Sequence, residues 1–136
     1  MTNKLATATI IIVEDDPNAQ LVTMDLLRLA GASQCFARKS VASARAFAER
    51  LPTVDMFLVD INMPDQSGYD LLSQVRNNPN LKDARLVAVT AGTLAEDVDK
   101  AREADFDGFI SKPLKADSFA QQVEQILNGE VVWDWR

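Results

Sequence analysis

The sequence predicts an α/β fold in which helices cover both faces of a single parallel sheet. Three observations support this prediction. Five short apolar runs alternate along the chain with segments that have helical periodicity. The first of these runs, Thr9–Val13, has no charged position, as expected of a strand that is covered on both faces. The length of 136 residues suits one ordinary domain with a substantial core.

Local signals delimit the elements in the first half of the chain. Asp16 is a suitable cap for a helix that starts at Pro17, because proline is tolerated in the first helical turn, and Gly31 ends that helix. Ser40 is a suitable cap for the next helix. The predicted elements are strands at Thr9–Val13, residues 34–37 and residues 54–59, with helices at residues 17–30 and 40–50 between them.

The second half continues the alternation. A loop with Pro64 and Gly68 precedes a helix that runs to about Asn77. Thr93, with Glu96 three residues later, predicts a capping box at the start of the following helix. The remaining elements are strands at residues 86–89 and Gly108–Ser111, and a last helix, ended by Gly129, whose buried face carries Phe119, Val123, Ile126 and Leu127.

Composition excludes several classes of function. The chain has no histidine and one cysteine, Cys35, so it can form neither a histidine zinc site, a Ser–His–Asp triad nor an internal disulfide, and it is no histidine phosphodonor. The net charge is -6 and the basic residues are scattered singly, which argues against binding to nucleic acid. The apolar runs are too short for a membrane span and the N-terminus has no signal-peptide pattern, so we expect a cytoplasmic location.

The chemically distinctive residues all follow predicted strands. Three acidic residues, at positions 14–16, follow the first strand, and Asp60 follows the third. Thr90 closes the fourth strand and Lys112 follows the fifth. In an open parallel sheet the C-terminal strand ends lie along one edge, where ligands bind, so we expect these residues to converge on one crevice.

Their chemistry indicates a site for phosphoryl transfer. The carboxylates of Glu14, Asp15 and Asp60 would repel one another without a cation, and such an oxygen-rich cluster suits a hard divalent ion, most often Mg²⁺. Lys112 offers a fixed positive charge to a phosphate, and Thr90 offers a hydroxyl. A carboxylate can act as a nucleophile and form an acyl phosphate. The cluster therefore favours an aspartate that accepts a phosphoryl group.

Four stretches of this sequence are similar to those of a known family, and they occur in the family's order: IIIVEDDPNAQ, FLVDINMPDQSGYDLL, LVAVTAG and FDGFISKPL. On these stretches the chain resembles the receiver domain of two-component response regulators, over residues 9–128. The resemblance implies the flavodoxin-like, doubly wound fold, a five-stranded parallel sheet in the order 2-1-3-4-5; a member of this family is the standard example of that order. It also implies one receiver domain over residues 1–136, with residues 129–136 as a C-terminal tail.

The resemblance assigns a role to each matching residue. Asp60 is implied as the phosphoacceptor, Lys112 as the ion-pair partner of the phosphoryl group, and Thr90 and Phe109 as switch residues. The Lys112–Pro113 peptide bond is expected to be cis. The metal ligands implied for Mg²⁺ are Asp15, Asp60, the backbone carbonyl of Asn62 and, through water, Glu14, while Asn62 and Gly92 match positions that tune the lifetime of the acyl phosphate.

The expected partners are proteins. The phosphoryl group is expected from a histidine kinase or a histidine phosphotransfer protein, and a downstream target is expected on the face formed by the fourth predicted helix, the fifth strand and the fifth predicted helix. No nucleic acid or membrane is expected as a partner, and a homodimer is possible. The chain is expected to be a signalling domain, with no turnover beyond its own phosphorylation and dephosphorylation.

Three alternatives stay open at this point. A Mg²⁺-dependent phosphatase with an aspartyl-phosphate intermediate uses similar logic, but it usually places a second carboxylate two residues after the nucleophile, where this chain has Asn62. A flavin carrier needs a phosphate loop after the first strand, where residues 14–16 would repel it. The chain can also be the receiver part of a longer regulator or hybrid kinase.

Three further features have ordinary structural explanations. Cys35 is expected to be a small buried residue. The acidic residues between positions 96 and 107 are expected to form a solvated face. Trp133 and Trp135, beyond the last helix, are expected to fold back over apolar surface, with a dimer or partner contact as the alternative.

Overall fold

A computed structural model of the chain describes residues 4–63, 67–91 and 95–134, and its strands form one parallel sheet. The strand order is β2-β1-β3-β4-β5-β6. The predicted flavodoxin-like order 2-1-3-4-5 is therefore confirmed, with a sixth strand added at the β5 edge. The strands are β1 (Thr9–Val13), β2 (Gln34–Arg38), β3 (Met56–Val59), β4 (Arg85–Thr90), β5 (Gly108–Ser111) and β6 (Val132–Asp134).

Helices lie on both faces of the sheet, as predicted. They are α1 (Lys4–Thr7), α2 (Pro17–Leu29), α3 (Val41–Ala48), α4 (Gly68–Arg76), α5 (Ala95–Glu103) and α6 (Phe119–Leu127). Because the short helix α1 was not predicted, the five predicted helices correspond to α2–α6. No helix in the described part of the chain combines the length and the apolar character that a bilayer crossing needs.

Helices α2, α3 and α4 each start at a residue whose side chain caps them. The side chain of Asp16 accepts a hydrogen bond from the backbone N–H of Asn18, and Ser40 accepts one from Ser43, so both predicted caps are confirmed. Ser67 and Asp70 form a reciprocal capping box at α4 that was not predicted. The capping box expected at Thr93, like the loop residue Pro64, lies outside the described residues.

Two apolar layers sandwich the sheet, and alternate residues of the central strands point into each. Ile11, Val13 and Phe57 face the layer under α3, α4 and α5, whereas Ile10 and Ile12 face the layer under α1, α2 and α6. Strands β1 and β3 are buried along their whole length. This burial fixes the strands, and with them the strand ends that carry the polar residues.

Both chain ends add an element at the sheet that the sequence did not reveal. In α1, Leu5 is buried in the apolar layer that α6 also covers. β6 pairs in parallel with β5, and Trp133 packs against the opposite layer. The prediction that Trp133 folds back over apolar surface is confirmed, although it does so as a strand; Trp135 lies outside the described residues.

One residue of the predicted acidic face is not solvated. Asp107 is half-buried, accepts hydrogen bonds from Arg76 and from the backbone N–H of Leu86 at 2.8 Å each, and donates its own N–H to the Leu86 carbonyl. The expectation of a solvated face was wrong at this position, because Asp107 completes the hydrogen bonding of a buried strand residue. Cys35 is buried, as expected.

Candidate functional site

The first component of the site is the loop that follows β1. The backbone N–H of Glu14 still donates to Arg38 of β2, so Glu14 extends the strand pairing by one residue, and its side chain is buried. Its carboxylate accepts a hydrogen bond from the backbone N–H of Asp16 at 3.3 Å. Asp15, the next residue, is exposed. One carboxylate therefore faces inward and its neighbour faces solvent.

The second component is the end of β3. Asp60 donates its backbone N–H to the carbonyl of Val13, which holds it beside the end of β1. Its carboxylate accepts the backbone N–H of Asn62 at 2.9 Å. The Asn62 side-chain amide donates in turn to the hydroxyl of Thr90 at 2.7 Å. The ends of β1, β3 and β4 are thus connected through short polar contacts.

Lys112, directly after β5, contacts the carboxylates that follow β1 and β3. Its backbone N–H donates to the carbonyl of Thr90, and its ammonium group donates to Glu14 and, at 3.4 Å, to Asp60. The Lys112–Pro113 peptide bond is cis, as the resemblance implied. The predicted convergence of Glu14, Asp60, Thr90 and Lys112 is therefore present.

Burial and charge have opposite effects on the pKa of Glu14 and on the pKa of its partner Lys112. Burial raises the pKa of Glu14 and outweighs the opposing effect of the Lys112 ammonium group. Burial by itself would lower the pKa of Lys112, but its hydrogen bond to Glu14 and the charges of Asp60 and Glu14 outweigh burial and raise that pKa. Lys112 is therefore a permanently charged group in the site across the neutral pH range.

The carboxylates of Glu14, Asp15 and Asp60 form a cluster that fits a metal ion. One oxygen from each lies within 4.8 Å of the others, and the burial of the three grades from buried to exposed. The donors are oxygens only, which suits Mg²⁺ and not the softer metals. The exposed edge leaves room for the water ligands that Mg²⁺ retains.

Two of the site residues that the family resemblance implies are not part of this cluster. Phe109 is fully buried on β5, where it packs under Trp133 at a ring-centroid distance of 5.9 Å. Gly92 lies outside the described residues. The predicted residues that the structure brings together are therefore Glu14, Asp15, Asp60, Asn62, Thr90 and Lys112.

Gln20 is a site residue that sequence reasoning missed. Its side-chain amide donates to the backbone carbonyl of Glu14 at 2.6 Å, from the first turn of α2. This contact fixes the loop that carries the two acidic residues. No pattern in the sequence marks Gln20, because a glutamine on the first turn of a helix is ordinary and its partner is a backbone atom.

Comparison with known sequences identifies the family. A sequence model described as the response regulator receiver domain matches residues 10–124, which is most of the chain. The chain belongs to this family. It is a receiver domain of two-component signalling, a phosphoacceptor signalling domain, and a histidine kinase partner is implied by that membership.

Individual relatives agree with this assignment. The polar-differentiation response regulator DivK of Brucella ovis is 26% identical over 121 residues, which cover 89% of this receiver and 97% of DivK. The receiver domain of a signal transduction histidine kinase from Syntrophus aciditrophicus is 28% identical, with a TM-score of 0.78 over 90% of this chain and 91% of that one. The chemotaxis response regulator CheY4 of Vibrio cholerae, 20% identical, has the same fold with a TM-score of 0.78 over 88% and 98% of the two chains.

Proposed function

We propose that this receiver accepts a phosphoryl group on Asp60 from a phosphohistidine of a histidine kinase or histidine phosphotransfer protein. The observation that carries the proposal is the convergence of the Glu14, Asp15 and Asp60 carboxylates with the Lys112 ammonium group. Asp60 belongs to both parts of this arrangement, since it lies in the acidic cluster and 3.4 Å from Lys112.

In the proposed transfer, one carboxylate oxygen of Asp60 attacks the phosphorus atom. The N–P bond of the phosphohistidine breaks, the imidazole leaves, and an acyl phosphate forms on Asp60. Lys112 offsets the negative charge on the transferred group, since its ammonium already reaches the Asp60 carboxylate. The Asn62 backbone N–H, which donates to the other Asp60 oxygen, orients the carboxylate for attack.

Asp15, Asp60 and the Asn62 backbone carbonyl are the proposed direct ligands of Mg²⁺, with Glu14 acting through water. When bound, Mg²⁺ supplies positive charge that offsets the repulsion among these carboxylates and the charge on a phosphoryl group. Asn62 stands where an aspartyl-phosphate phosphatase would place an acid, and its amide donates to Thr90. An amide supplies no proton for turnover, which favours a phosphoacceptor over a phosphatase.

We further propose that Thr90 and Phe109 relay phosphorylation to the face formed by α5, β5 and α6, where a downstream protein binds. The Thr90 hydroxyl accepts a hydrogen bond from the side-chain amide of Asn62, two residues after Asp60, so its own O–H can turn to donate to a phosphoryl oxygen on Asp60. Phe109 lies on the neighbouring strand, where β4 and β5 pair as Ala88 with Phe109 and Thr90 with Ser111. In the proposed relay, a shift at Thr90 reaches Phe109 along one ladder, past the intervening pair of Val89 and Ile110.

The test is intact-mass analysis after incubation with Mg²⁺ and a small phosphodonor such as acetyl phosphate. We expect one phosphoryl adduct on the wild-type chain, none on Asp60→Asn, and an unchanged adduct on the matched control Asp25→Asn, an exposed carboxylate of α2. An adduct that persists on Asp60→Asn would place the acceptor elsewhere. A folded wild-type chain that takes up no phosphoryl group would refute the proposal.

A further inference from the structure

Residues 132–134 occupy the edge of β5 as a docked strand. β6 pairs in parallel with β5, with Gly108, Phe109 and Ile110 opposite Val132, Trp133 and Asp134. Without this segment, β5 would present the unpaired backbone groups of an edge strand. The segment follows α6 and returns along the sheet between α5 and α6.

Trp133 supplies the aromatic contact in the groove that runs along β5, between α5 and α6. Its ring packs on Phe109 with a tilt of 31°, and the guanidinium of Arg102, from α5, lies 5.1 Å from its centroid. Its indole N–H is buried and has no acceptor among the described residues. The tail therefore gains packing and cation–π contact but leaves one buried donor without a hydrogen bond, so its fit is incomplete.

Asp134 supplies a second, polar anchor on the other face of the strand. Its carboxylate accepts a hydrogen bond from Gln122 of α6 at 2.8 Å and lies 3.6 Å from the ammonium of Lys115. Trp133 and Asp134 point to opposite faces because side chains alternate along a strand. The groove therefore binds the aromatic ring and the following carboxylate through different residues, one on each face of the strand.

Two glycines make room for the segment. Gly129 has φ of +90°, a conformation that glycine adopts without strain, and it turns the chain back after α6. Gly108 lies opposite Val132, and a Cβ there would be 2.6 Å from the Ile126 Cδ1 and 3.2 Å from the Val132 carbonyl oxygen. The close approach of β6 therefore depends on the absence of a side chain at Gly108.

We propose that the groove along β5, between α5 and α6, is a binding site for an extended peptide. Its ligand presents an aliphatic residue, an aromatic residue and a carboxylate in succession, and binds by strand addition. Residues 132–134 are the intramolecular ligand, and a segment of a partner protein with the same chemistry binds by displacing them. The tail is thereby a built-in competitor for this site.

The tail is suited to displacement. It forms three residues of strand and gives the Trp133 N–H no acceptor among the residues that the structure describes, so a partner segment that supplies an acceptor adds a contact. The groove lies on the α5–β5–α6 face, and the consequence that the tail also controls access of a downstream target rests on the proposed function. Peptide binding to the groove requires no phosphorylation, so it can be tested separately.

The probe is a dye-labelled peptide with the sequence of residues 129–136, whose binding to full-length chains is measured by fluorescence anisotropy without phosphodonor. In the wild-type chain, the tethered tail competes at an effective concentration in the millimolar range, and the peptide binds weakly. In full-length Trp133→Ala the tail loses its aromatic anchor. We expect the dissociation constant of the peptide to fall by about tenfold or more in this variant.

Matched controls separate the groove from general effects. Val131→Ala changes a neighbouring residue that is 76% exposed and lies outside β6, and it should bind the peptide as weakly as wild type. A peptide with alanine in place of its first tryptophan should fail to bind Trp133→Ala. Equal binding of the intact peptide to wild type and to a folded Trp133→Ala, or binding to neither, would overturn the proposal.

Two further measurements keep the test decisive. If Trp133→Ala does not fold, Asp134→Ala is used instead, because it removes the contacts to Gln122 and Lys115 and leaves the aromatic packing in place; the same gain in peptide binding is expected. Sedimentation velocity tests whether the tail of a second copy of the chain, and not the chain's own tail, occupies the groove. A wild-type dimer that dissociates on Trp133→Ala substitution would overturn the intramolecular arrangement, whereas a monomer in both chains supports it.

Discussion

Replacing Asp107 with alanine tests whether this carboxylate supports the pairing of β4 with β5, at the end of the strands opposite the acidic site. Asp107 accepts hydrogen bonds from the Arg76 guanidinium and from the backbone N–H of Leu86, a residue that is fully buried in β4. Asp107→Ala leaves the N–H of this fully buried residue without its protein acceptor. Arg76 also loses its partner, although this ion pair is partly exposed.

The lost hydrogen bond to Leu86 and the lost ion pair with Arg76 differ in their cost in stability. A buried donor left unsatisfied costs about 1–3 kcal/mol, and a partly exposed ion pair contributes about 0–1 kcal/mol. We therefore expect Asp107→Ala to lower the free energy of unfolding by about 2–3 kcal/mol. In a domain of this length that loss lowers the melting temperature by about 10 °C.

Urea and thermal denaturation followed by circular dichroism measure this effect. Asp107→Asn keeps a side-chain oxygen that can accept from Leu86 and loses only the charge, so it should lose less than half as much stability. Asp83→Ala, at an exposed position, is the matched control and should remain within about 0.5 kcal/mol of wild type. The reasoning is refuted if Asp107→Ala is as stable as this control.

Three other changes test the packing, the acidic cluster and the buried thiol. Gly68→Ala should lose about 1–3 kcal/mol in the same denaturation assays, because its Cβ would lie 2.8 Å from a Val59 methyl carbon and 3.3 Å from the Ile61 backbone; wild-type stability would contradict this packing. Mg²⁺ at about one hundred times its dissociation constant for the wild-type chain should stabilise that chain by about 2.7 kcal/mol in a thermal melt. An equal gain in Asp60→Asn at the same Mg²⁺ concentration would exclude Asp60 as a ligand. Burial raises the pKa of Cys35 above its usual 9.0, so the stability contributed by the neutral thiol is present below that value and is lost as pH rises through the raised pKa. Cys35→Ala should therefore lose less stability than wild type between neutral and strongly alkaline pH, and identical pH profiles would contradict this.

Local signals were sufficient for the central part of the fold. The apolar run Thr9–Val13, the cap at Asp16 and the stop at Gly31 each act over a few neighbouring residues, so the sequence shows them directly. The predicted strand at residues 54–59 begins two residues later in the structure, at Met56. Helix ends also shift by a residue or two, because terminal turns depend on tertiary contacts.

The acidic site was predictable because strand topology does most of the positioning. Once β1, β3, β4 and β5 are parallel neighbours, their C-terminal ends share an edge, and Glu14, Asp60, Thr90 and Lys112 follow them. The detailed contacts were not predictable. Gln20 acts on a backbone carbonyl, and the Asn62–Thr90 hydrogen bond joins residues on different strand ends.

The sequence alone determined the alternation of strands and helices and the chemistry at the strand ends, because both arise from periodicity and neighbouring residues. Only the tertiary structure decided the places of α1, β6 and Asp107. A four-residue helix and a three-residue strand are too short to be stable by themselves and form only against a completed surface. Trp133 becomes part of the sheet because β5 has a free edge and Phe109 an uncovered ring, and both exist only after the distant parts of the chain have assembled.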